Sequence, residues 1–403
     1  MSDRGNSTYS KWFIFLLASV ITITPLSIDM YLPAMPQIAQ SLNSHIGSLQ
    51  QSLSIFLGAY GAGMLLFGPL ADSIGRRPLA LFGLSGFTLA SIALVFSQTI
   101  ESFLIMRAMQ AFSGAAATVV IPGMVRHIYQ EHTAKGMSYL SMIMMLAPLL
   151  APGIGSFILW LSDWRSIFIV LATYGGLILF AVWKFFPATE TQQNKTRFKA
   201  AEFFGGYKIV FAHSRARPFI ISMICGSFAF FCYITAIPFV YMNFFGVNEQ
   251  VFSLLFGLNV SLLILASFIN SRLVSHFGAM FMLRAGLLMA LVSVLALFIV
   301  TVFHMPIIFT VVTITPLMAG LSLIGINSDA LVIIKFPHNS GTATAVTGTL
   351  RFGSGALAGP LLVYFYDGSP LPFAYLMAAG VIGVLICQLW IWLTQTRHHS
   401  EYA

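Results

Sequence analysis

Asp29 is a single carboxylate inside an otherwise uncharged apolar stretch that runs from Trp12 to about Met35. The stretch is long enough to cross a lipid bilayer as a helix, because ~20 residues rising ~1.5 Å each cover the ~30 Å hydrocarbon core. A carboxylate at such a depth costs roughly 3 kcal/mol, and chains that retain one usually use it to bind a substrate or to carry a proton. The alternative is an acid near the helix end that reaches the lipid headgroups, since Pro33 and Pro36 follow it closely.

Arg107 and Arg351 also lie within apolar stretches of the chain. Because an arginine keeps its proton in proteins, each of them needs an acidic partner or a water-filled cavity. Counting residues from the ends of the stretches places Arg107 and Asp29 at the same depth, roughly 8–9 Å below the outer membrane edge. The two side chains pair if their helices adjoin, or else each reaches its own water. Arg351 lies near mid-bilayer, where it could meet an anionic substrate group or an acidic side chain, or be satisfied by backbone carbonyls.

The composition of the chain restricts it to one class of protein. Of its 403 residues, 58% are hydrophobic and 8% are charged, against ~25% charged residues in soluble domains. With a mean hydropathy of +0.88, the chain could not hide its apolar surface in a soluble fold, so we expect an integral membrane protein. Three cysteines in apolar stretches are interpreted as small hydrophobic side chains, namely Cys225, Cys232 and Cys387. No cluster of residues has the spacing of metal ligands, so we expect neither a metal nor a cofactor.

Twelve apolar stretches are each long enough to span the membrane, which predicts an all-α membrane protein of twelve transmembrane helices. They lie near residues 12–35, 49–70, 78–98, 102–125, 137–160, 164–186, 217–242, 250–273, 279–302, 305–333, 341–366 and 371–395. A polar, basic segment over 187–216 divides them into two six-helix halves, residues 1–186 and 217–403, and is interpreted as a cytoplasmic linker. The first stretch is too long for the apolar core of a signal peptide, so we expect it to be retained as a span.

The basic residues are distributed unevenly between the two sides of the predicted membrane. If the N-terminus is cytoplasmic, 17 of the 20 Lys and Arg residues fall on that side, two lie inside spans, and Arg165 alone lies outside. This asymmetry is a strong positive-inside signal and places both termini in the cytoplasm. It also explains the net charge of +8, because the basic residues face the anionic lipids of the cytoplasmic leaflet. We therefore expect the bilayer and not a nucleic acid as partner.

The loop between the second and third predicted spans reads GPLADSIGRRPLAL and begins at Gly68. Its one Asp and two Arg residues form a compact charge cluster at the inner membrane edge, and snorkelling basic residues alone do not explain the acid. The segment resembles the G-x-L-a-D-r-x-G-r-[KR] loop signature of the major facilitator superfamily, with Ser73 where the family often has a basic residue. The resemblance implies an inner gate latch formed by Gly68, Asp72, Gly75, Arg76 and Arg77.

Two further segments are similar to signatures of proton-coupled members of that superfamily. RAMQAFSGAAA in the fourth span resembles the R-x-x-Q-G-x-x-G pattern, with Arg107 and Gln110 as the counterparts. APLLAPGIGS in the fifth span is similar to the g-x-x-x-G-P-x-x-G-G signature of the antiporter branch, with alanines at two of the glycine positions. Small residues let helices approach closely and prolines soften a helix. The resemblance implies that this region, with Pro148, Pro152 and Gly153, shapes the gate.

Three blocks together are similar to the Bcr/CflA subfamily of drug-resistance transporters: PLSIDMYLPAMP, GPLADSIGRRP and FPHNSGTATAVTGTLRFGSGA. The resemblance covers nearly the whole chain and implies a proton-coupled multidrug efflux antiporter of the bacterial inner membrane, which we expect to be a monomer. Asp29 is the expected proton acceptor, and Arg107 is expected to switch it between proton-holding and proton-releasing states. Substrates such as bicyclomycin, phenicols or sulfonamides are implied. The candidate substrate-binding residues are Tyr31, Gln110, Arg351 and Tyr233.

The two halves of the sequence show a weak internal repeat. NSRLVSHFGAMFMLR occupies in the second half the place that GPLADSIGRRP has in the first, and FGSGALAGP parallels APLLAPGIG. Such repeats predict a substrate site near the midplane between the halves and transport by rocking one half against the other.

Other functions are less well supported by the residues. A proton-coupled symporter, or an exporter of a small metabolite, on the same fold is the main alternative. A membrane enzyme or sensor is not expected, because no nucleophile–base pair or soluble catalytic domain is visible. A channel is not expected either, because the spans lack charged segments that could form a filter ring.

Overall fold

The computed structural model describes residues 12–130, 133–186, 210, 212–214, 216–336 and 340–400. These residues are helical or lie in short connections, and none of them forms a strand, which confirms the predicted all-α class. They group into two compact units, one within Met1–Lys199 and the other within Ala200–Ala403. Most of the predicted linker over 187–216 lies outside the described residues, so its boundaries stay a prediction.

The described part of the first unit contains eight helices. They are α1 (Trp12–Asp29), α2 (Met35–Ser41), α3 (Ile46–Ile74), α4 (Arg76–Val95), α5 (Ile100–Thr118), α6 (Ile121–Tyr129), α7 (Thr133–Leu161) and α8 (Arg165–Phe185). A 3₁₀ turn over Leu32–Ala34 joins α1 to α2, with Pro33 inside the turn and Pro36 in the first turn of α2. Because proline lacks the backbone N–H and clashes with the preceding turn, α1 cannot continue through this segment and ends at Asp29.

The described part of the second unit contains seven helices. They are α9 (Arg217–Pro238), α10 (Glu249–Phe277), α11 (Ala279–Val302), α12 (Ile307–Ile334), α13 (Ser340–Gly355), α14 (Ala358–Tyr364) and α15 (Leu371–Ser400). A π-helical turn over Phe239–Phe244 follows α9 directly.

Eleven helical segments of the described residues are long and apolar enough to cross a membrane, as expected for a multi-pass membrane protein. The first of them runs from Phe13 to Ser41 and includes the break after Asp29. The predicted eleventh span over 341–366 is instead divided into α13 and α14, which are 16 and 7 residues long. The eleven long segments and this broken one are together consistent with the twelve predicted spans.

Matching glycines give the weak sequence repeat a geometric counterpart in each unit. Gly75 joins α3 to α4 with φ +103°, and Gly278 joins α10 to α11 with φ +80°. Residues with side chains rarely adopt such values, so both turns require glycine. Eight residues after each turn lies a second glycine, Gly83 in the first unit and Gly286 in the second. A Cβ atom at Gly83 would lie 2.4 Å from a backbone nitrogen of α5, and one at Gly286 would lie 2.9 Å from a backbone carbonyl oxygen of α12.

Helix α1 packs against α5, α7 and α8 within the first unit, which confirms that the first and fourth predicted spans adjoin. The segment directly after α1 comes close to α7 at Gly155, where an added Cβ atom would lie 2.0 Å from the backbone oxygen of Met30. Helix α7 therefore holds the chain directly after Asp29 by a backbone contact, which positions the buried acid.

Candidate functional site

Asp29 is the last residue of α1, and its side chain is only 3% exposed. Its Oδ1 atom is buried and accepts no hydrogen bond from any described residue. An ionised carboxylate in this position would have one oxygen without water or a donor, and the negative end of the helix dipole adds no compensation. Asp29 does lie at a helix end, as the alternative interpretation had it, but its side chain is buried among the helices of the first unit.

Arg107 lies on α5 and is fully buried. Its Nη1 atom donates a 2.6 Å hydrogen bond to Oε1 of Gln110, and Nε2 of Gln110 donates a 2.8 Å bond to Oγ of Ser91. The Ser91 hydroxyl in turn donates to the backbone oxygen of Phe87 on α4. Gln110, expected to bind substrate, is thus engaged on both sides and anchors Arg107 to α4.

Two aromatic rings cover the Arg107 guanidinium. Its Cζ atom lies 4.3 Å from the centroid of the Tyr31 ring and 4.4 Å from that of Phe56. Both distances are within the range of cation–π attraction. The remaining donors, Nε and Nη2, are buried and find no hydrogen-bond acceptor among the described residues.

Asp29 and Arg107 do not form an ion pair in this conformation, although their helices adjoin as predicted. No salt bridge joins them within the described residues, and each side chain keeps at least one buried polar atom unused. Tyr31 follows Asp29 by two residues and presents its ring face to Arg107. Equal depth in the membrane was therefore not sufficient to bring the acid and the base together.

The Tyr31 side chain is buried and held at both its ring and its hydroxyl group. Its Oη atom lies 3.1 Å from Oγ of Ser52, whose own proton goes to the backbone oxygen of Leu49, so the tyrosine is the donor. Its ring also packs against Phe168 of α8 at 6.5 Å between centroids. Tyr31, expected to contact substrate, instead contacts Arg107 in this conformation.

The two arginines of the predicted gate latch anchor the α3–α4 turn to other helices. Arg76 Nη1 donates a 2.9 Å hydrogen bond to the backbone oxygen of Gly123 on α6, and Arg77 Nη2 donates to that of Trp183 on α8. Asp72 lies in the last turn of α3, but its side chain is outside the described part of the chain. Gly68 has only one neighbour for an added Cβ atom, at an ordinary 3.9 Å.

We expect Gly123→Ala to displace Arg76 and to slow transport while the fold is retained. A Cβ atom at this position would lie 2.7 Å from Nε and 2.9 Å from Cζ of Arg76, so the guanidinium must move. Because a hydrogen bond from a charged group contributes ~1.5 kcal/mol, the rate of substrate movement should fall about tenfold if the bond supports gating. Rates in membrane vesicles would be compared with those of Gly176→Ala, which should match the wild type, because among the described residues the added Cβ atom would meet only Cγ2 of Thr88, at an ordinary 3.9 Å. Equal rates for both variants would show that the Arg76 contact has no part in gating.

Helix α7 carries the predicted gate residues Pro148, Pro152 and Gly153 without a break between Thr133 and Leu161. Gly153 is exposed, and no atom lies within 4 Å of where its Cβ atom would be. The close approach to α1 is made by Gly155, two residues later. The glycine that packing requires in this segment is therefore Gly155.

Tyr233, another expected substrate contact, belongs to a buried network of the second unit. Asn259 Nδ2 donates to Oη of Tyr233 at 3.0 Å and to Oη of Tyr241 at 3.3 Å. The Thr315 hydroxyl donates a 2.7 Å bond to Oδ1 of Asn259. This network ties α9, the π-helical turn, α10 and α12 together, so Asn259 is its central residue.

Arg351 on α13 pairs with Asp329 on α12 through Nη2 and Oδ2. Of the alternatives open at the sequence level, its partner here is an acidic side chain. The two side chains are 36% and 28% exposed, whereas Asp329 Oδ1 is buried and has no hydrogen-bond partner among the described residues. The pair is thus partly accessible and incompletely satisfied.

A double-mutant cycle should detect the energy of this ion pair. We expect Asp329→Asn and Arg351→Gln each to lower the unfolding free energy by about 1 kcal/mol, because each leaves the partner charge partly buried. The double variant should lose less than the sum of the two, since it removes both charges. Thermal unfolding of the four proteins in one detergent measures the difference, and strictly additive losses would contradict the pairing.

Several contributing residues have no signal in the sequence. Phe56 and Ser91 lie in ordinary apolar helices, and nothing in their spacing relates them to Arg107. Gly155 did carry a signal, because it stands at a glycine position of the antiporter-like signature in the fifth span. Asp329 could have been related to Arg351 only by knowing which faces of α12 and α13 meet.

Comparison with known proteins agrees with this architecture. A family model described as Major Facilitator Superfamily matches residues 17–360. The chain is 29% identical over 374 residues to the bicyclomycin resistance protein homolog of Haemophilus influenzae, a match that covers 92% of this chain and 93% of that protein. It is 28% identical over 355 residues to a chloramphenicol resistance protein of Pseudomonas aeruginosa, covering 83% and 81% of the two chains.

Among solved structures, the inward-open xylose transporter XylE from E. coli is similar in fold. The TM-score is 0.70 at 16% sequence identity, and the match covers 94% of this chain and 96% of that one. At this identity the similarity concerns the fold alone.

Proposed function

This chain belongs to the Major Facilitator Superfamily, and on that premise we propose that it is a proton-coupled antiporter that exports small amphipathic drugs by alternating access. It is a multi-pass membrane transporter and not an enzyme. The observation that carries the proposal is that Asp29 and Arg107, two buried ionisable groups on adjoining helices, are not paired with each other among the described residues. Ionisable residues buried in membrane helices usually mark ion or proton pathways.

In the proposed cycle, Asp29 alternates between a protonated acid and a carboxylate. The neutral acid is suited to the dry position seen here, whereas the carboxylate requires a donor such as the unused Nη2 of Arg107. Drug binding and proton binding favour different conformations of the transporter. The inward flow of protons then drives the outward flow of drug.

The substrate class is inferred from the names of the two relatives, which refer to bicyclomycin and chloramphenicol resistance. Among the four residues expected to bind substrate, Arg351 is the one whose charged group is partly exposed here, so we assign it the substrate contact. The other three are buried and hydrogen-bonded, namely Tyr31, Gln110 and Tyr233. We assign them a structural role in the hydrogen-bond networks inside each unit.

We place the protein in the bacterial inner membrane with both termini in the cytoplasm, because 17 of 20 basic residues lie on the corresponding side of the spans. The α3–α4 turn then faces the cytoplasm. Gly68, Gly75, Arg76 and Arg77, together with Asp72, form the inner gate latch in this proposal.

Efflux of chloramphenicol, bicyclomycin and ethidium from cells that express the protein tests the function. We expect efflux above that of cells without the protein, and we expect a protonophore to abolish it. Accumulation of these compounds, or no movement of any of them, would instead favour a symporter or a metabolite exporter.

A further inference from the structure

Tyr31 and Phe56 place two aromatic faces on one guanidinium in the interior of the first unit. The centroid distances of 4.3 Å and 4.4 Å from Arg107 Cζ are nearly equal, so neither ring is an incidental neighbour. Tyr31 comes from the segment directly after Asp29, and Phe56 comes from α3.

One face of helix α3 positions both rings, because it carries Phe56 itself and the residue that binds the Tyr31 hydroxyl. Ser52, which accepts the hydrogen bond of the Tyr31 hydroxyl, lies four residues before Phe56 and therefore on the same side of the helix. Ser52 is in turn anchored to the backbone oxygen of Leu49. The aromatic pair is thus a prepared position for a cation.

This position satisfies Arg107 only in part. Nη1 is bound by Gln110, while Nε and Nη2 have no acceptor among the described residues. Asp29 Oδ1 likewise has no donor. A buried charge-assisted bond between these atoms would be strong, so an ionised Asp29 would compete with the rings for the guanidinium.

We propose that Tyr31 and Phe56 are positioning residues that hold Arg107 away from Asp29 while Asp29 carries its proton. The proposal rests on the proposed function, which makes Asp29 the proton carrier. When the proton leaves Asp29 for water, Arg107 leaves the rings and donates Nη2–H to the new carboxylate. When a proton returns, that bond is lost and the guanidinium goes back to the rings.

The described side chains that contact the Arg107 guanidinium are Tyr31, Phe56 and Gln110, and none of them is an acid that could take the place of Asp29. Tyr31 and Asp29 are the titratable groups contributed by α1 and the segment after it. Helices α3, α4 and α5 contribute Phe56, Ser91 and Gln110, which are uncharged. The exchange therefore involves one acid, one base and two rings.

Labelling by dicyclohexylcarbodiimide, which reacts with protonated carboxylic acids in apolar surroundings, tests the proposal without any substrate. In the purified full-length protein we expect Asp29 to be labelled, as detected by mass spectrometry. Phe56→Leu keeps an apolar side chain but removes one ring, so Arg107 should pair with Asp29 and labelling should fall about tenfold, which corresponds to ~1.4 kcal/mol. Phe56→Tyr retains a ring and should label like the wild type.

The matched control is Phe103→Leu, since Phe103 is a buried ring on the same helix as Arg107 but carries no cation of the described residues on its face. It should leave the labelling of Asp29 unchanged. Phe56→Met serves as a second ring-free variant if Phe56→Leu does not fold. Wild-type labelling in Phe56→Leu or Phe56→Met, or an Asp29 that is unreactive in the wild type, would overturn the proposal. Drug efflux by the wild type is measured separately. If efflux is present but the labelling results contradict the expectation, this proposal fails while the proposed function stands.

Discussion

Asp29→Asn is expected to reduce proton-driven efflux to the level of cells that lack the protein. Asparagine has nearly the shape of the acid and is neutral, but it cannot take up or release a proton. Because Oδ1 accepts no hydrogen bond from the part of the chain that the structure describes, the unfolding free energy should change by about 1 kcal/mol or less. The variant therefore separates proton transfer from folding.

The measurement uses everted membrane vesicles with an imposed proton gradient and a fluorescent pH indicator. Addition of chloramphenicol should dissipate the gradient in the wild type but not in Asp29→Asn. Asp367→Asn is the matched control, since Asp367 is an exposed carboxylate that only caps a turn at Ser369. Full gradient-driven efflux by Asp29→Asn would remove Asp29 from the mechanism.

Gly155→Ala is expected to cause the second large loss of transport. The added Cβ atom would lie 2.0 Å from the backbone oxygen of Met30 and 3.2 Å from Cγ of Pro33. Backbone cannot rotate away as a flexible side chain does, so α7 and the segment after Asp29 must separate. Overpacking of this kind costs ~1–3 kcal/mol, and it displaces the segment that carries Asp29 and Tyr31.

Gly153→Ala is the control for this prediction, because no atom lies within 4 Å of the added methyl group. It should retain wild-type efflux and gain up to about 1 kcal/mol of helix stability. Efflux assays and thermal unfolding in detergent would be made on both variants. If Gly155→Ala behaved like Gly153→Ala, the backbone contact between α7 and Met30 would have no functional weight.

The class of the protein and the order of its helices could be predicted from the sequence because they depend on quantities read along one dimension. The length of each apolar stretch sets whether it can cross a bilayer, and the uneven placement of Lys and Arg predicts orientation. The loop from Gly68 onward has enough fixed positions to indicate the superfamily, and a match over residues 17–360 agrees with it.

The sequence was less informative where the local backbone departs from a continuous helix. The eleventh span appears uniform in composition, yet it is divided at Ala356 and Leu357 into two helices. Pro33 and Pro36 did indicate a helix end after Asp29. They did not indicate that the acid would be buried, because burial depends on the helices that surround this end.

Which side chains meet was decided by the tertiary structure alone. Asp29 and Arg107 have similar depths, but the guanidinium lies on the rings of Tyr31 and Phe56, because α3 brings those rings to it. Arg351 finds Asp329 because the facing sides of α12 and α13 meet there. Gly155 and not Gly153 is the contact glycine because of the rotation of α7 about its own axis. Residue spacing predicts depth along a helix, whereas contacts also depend on the rotation and the neighbours of each helix, which only packing in three dimensions determines.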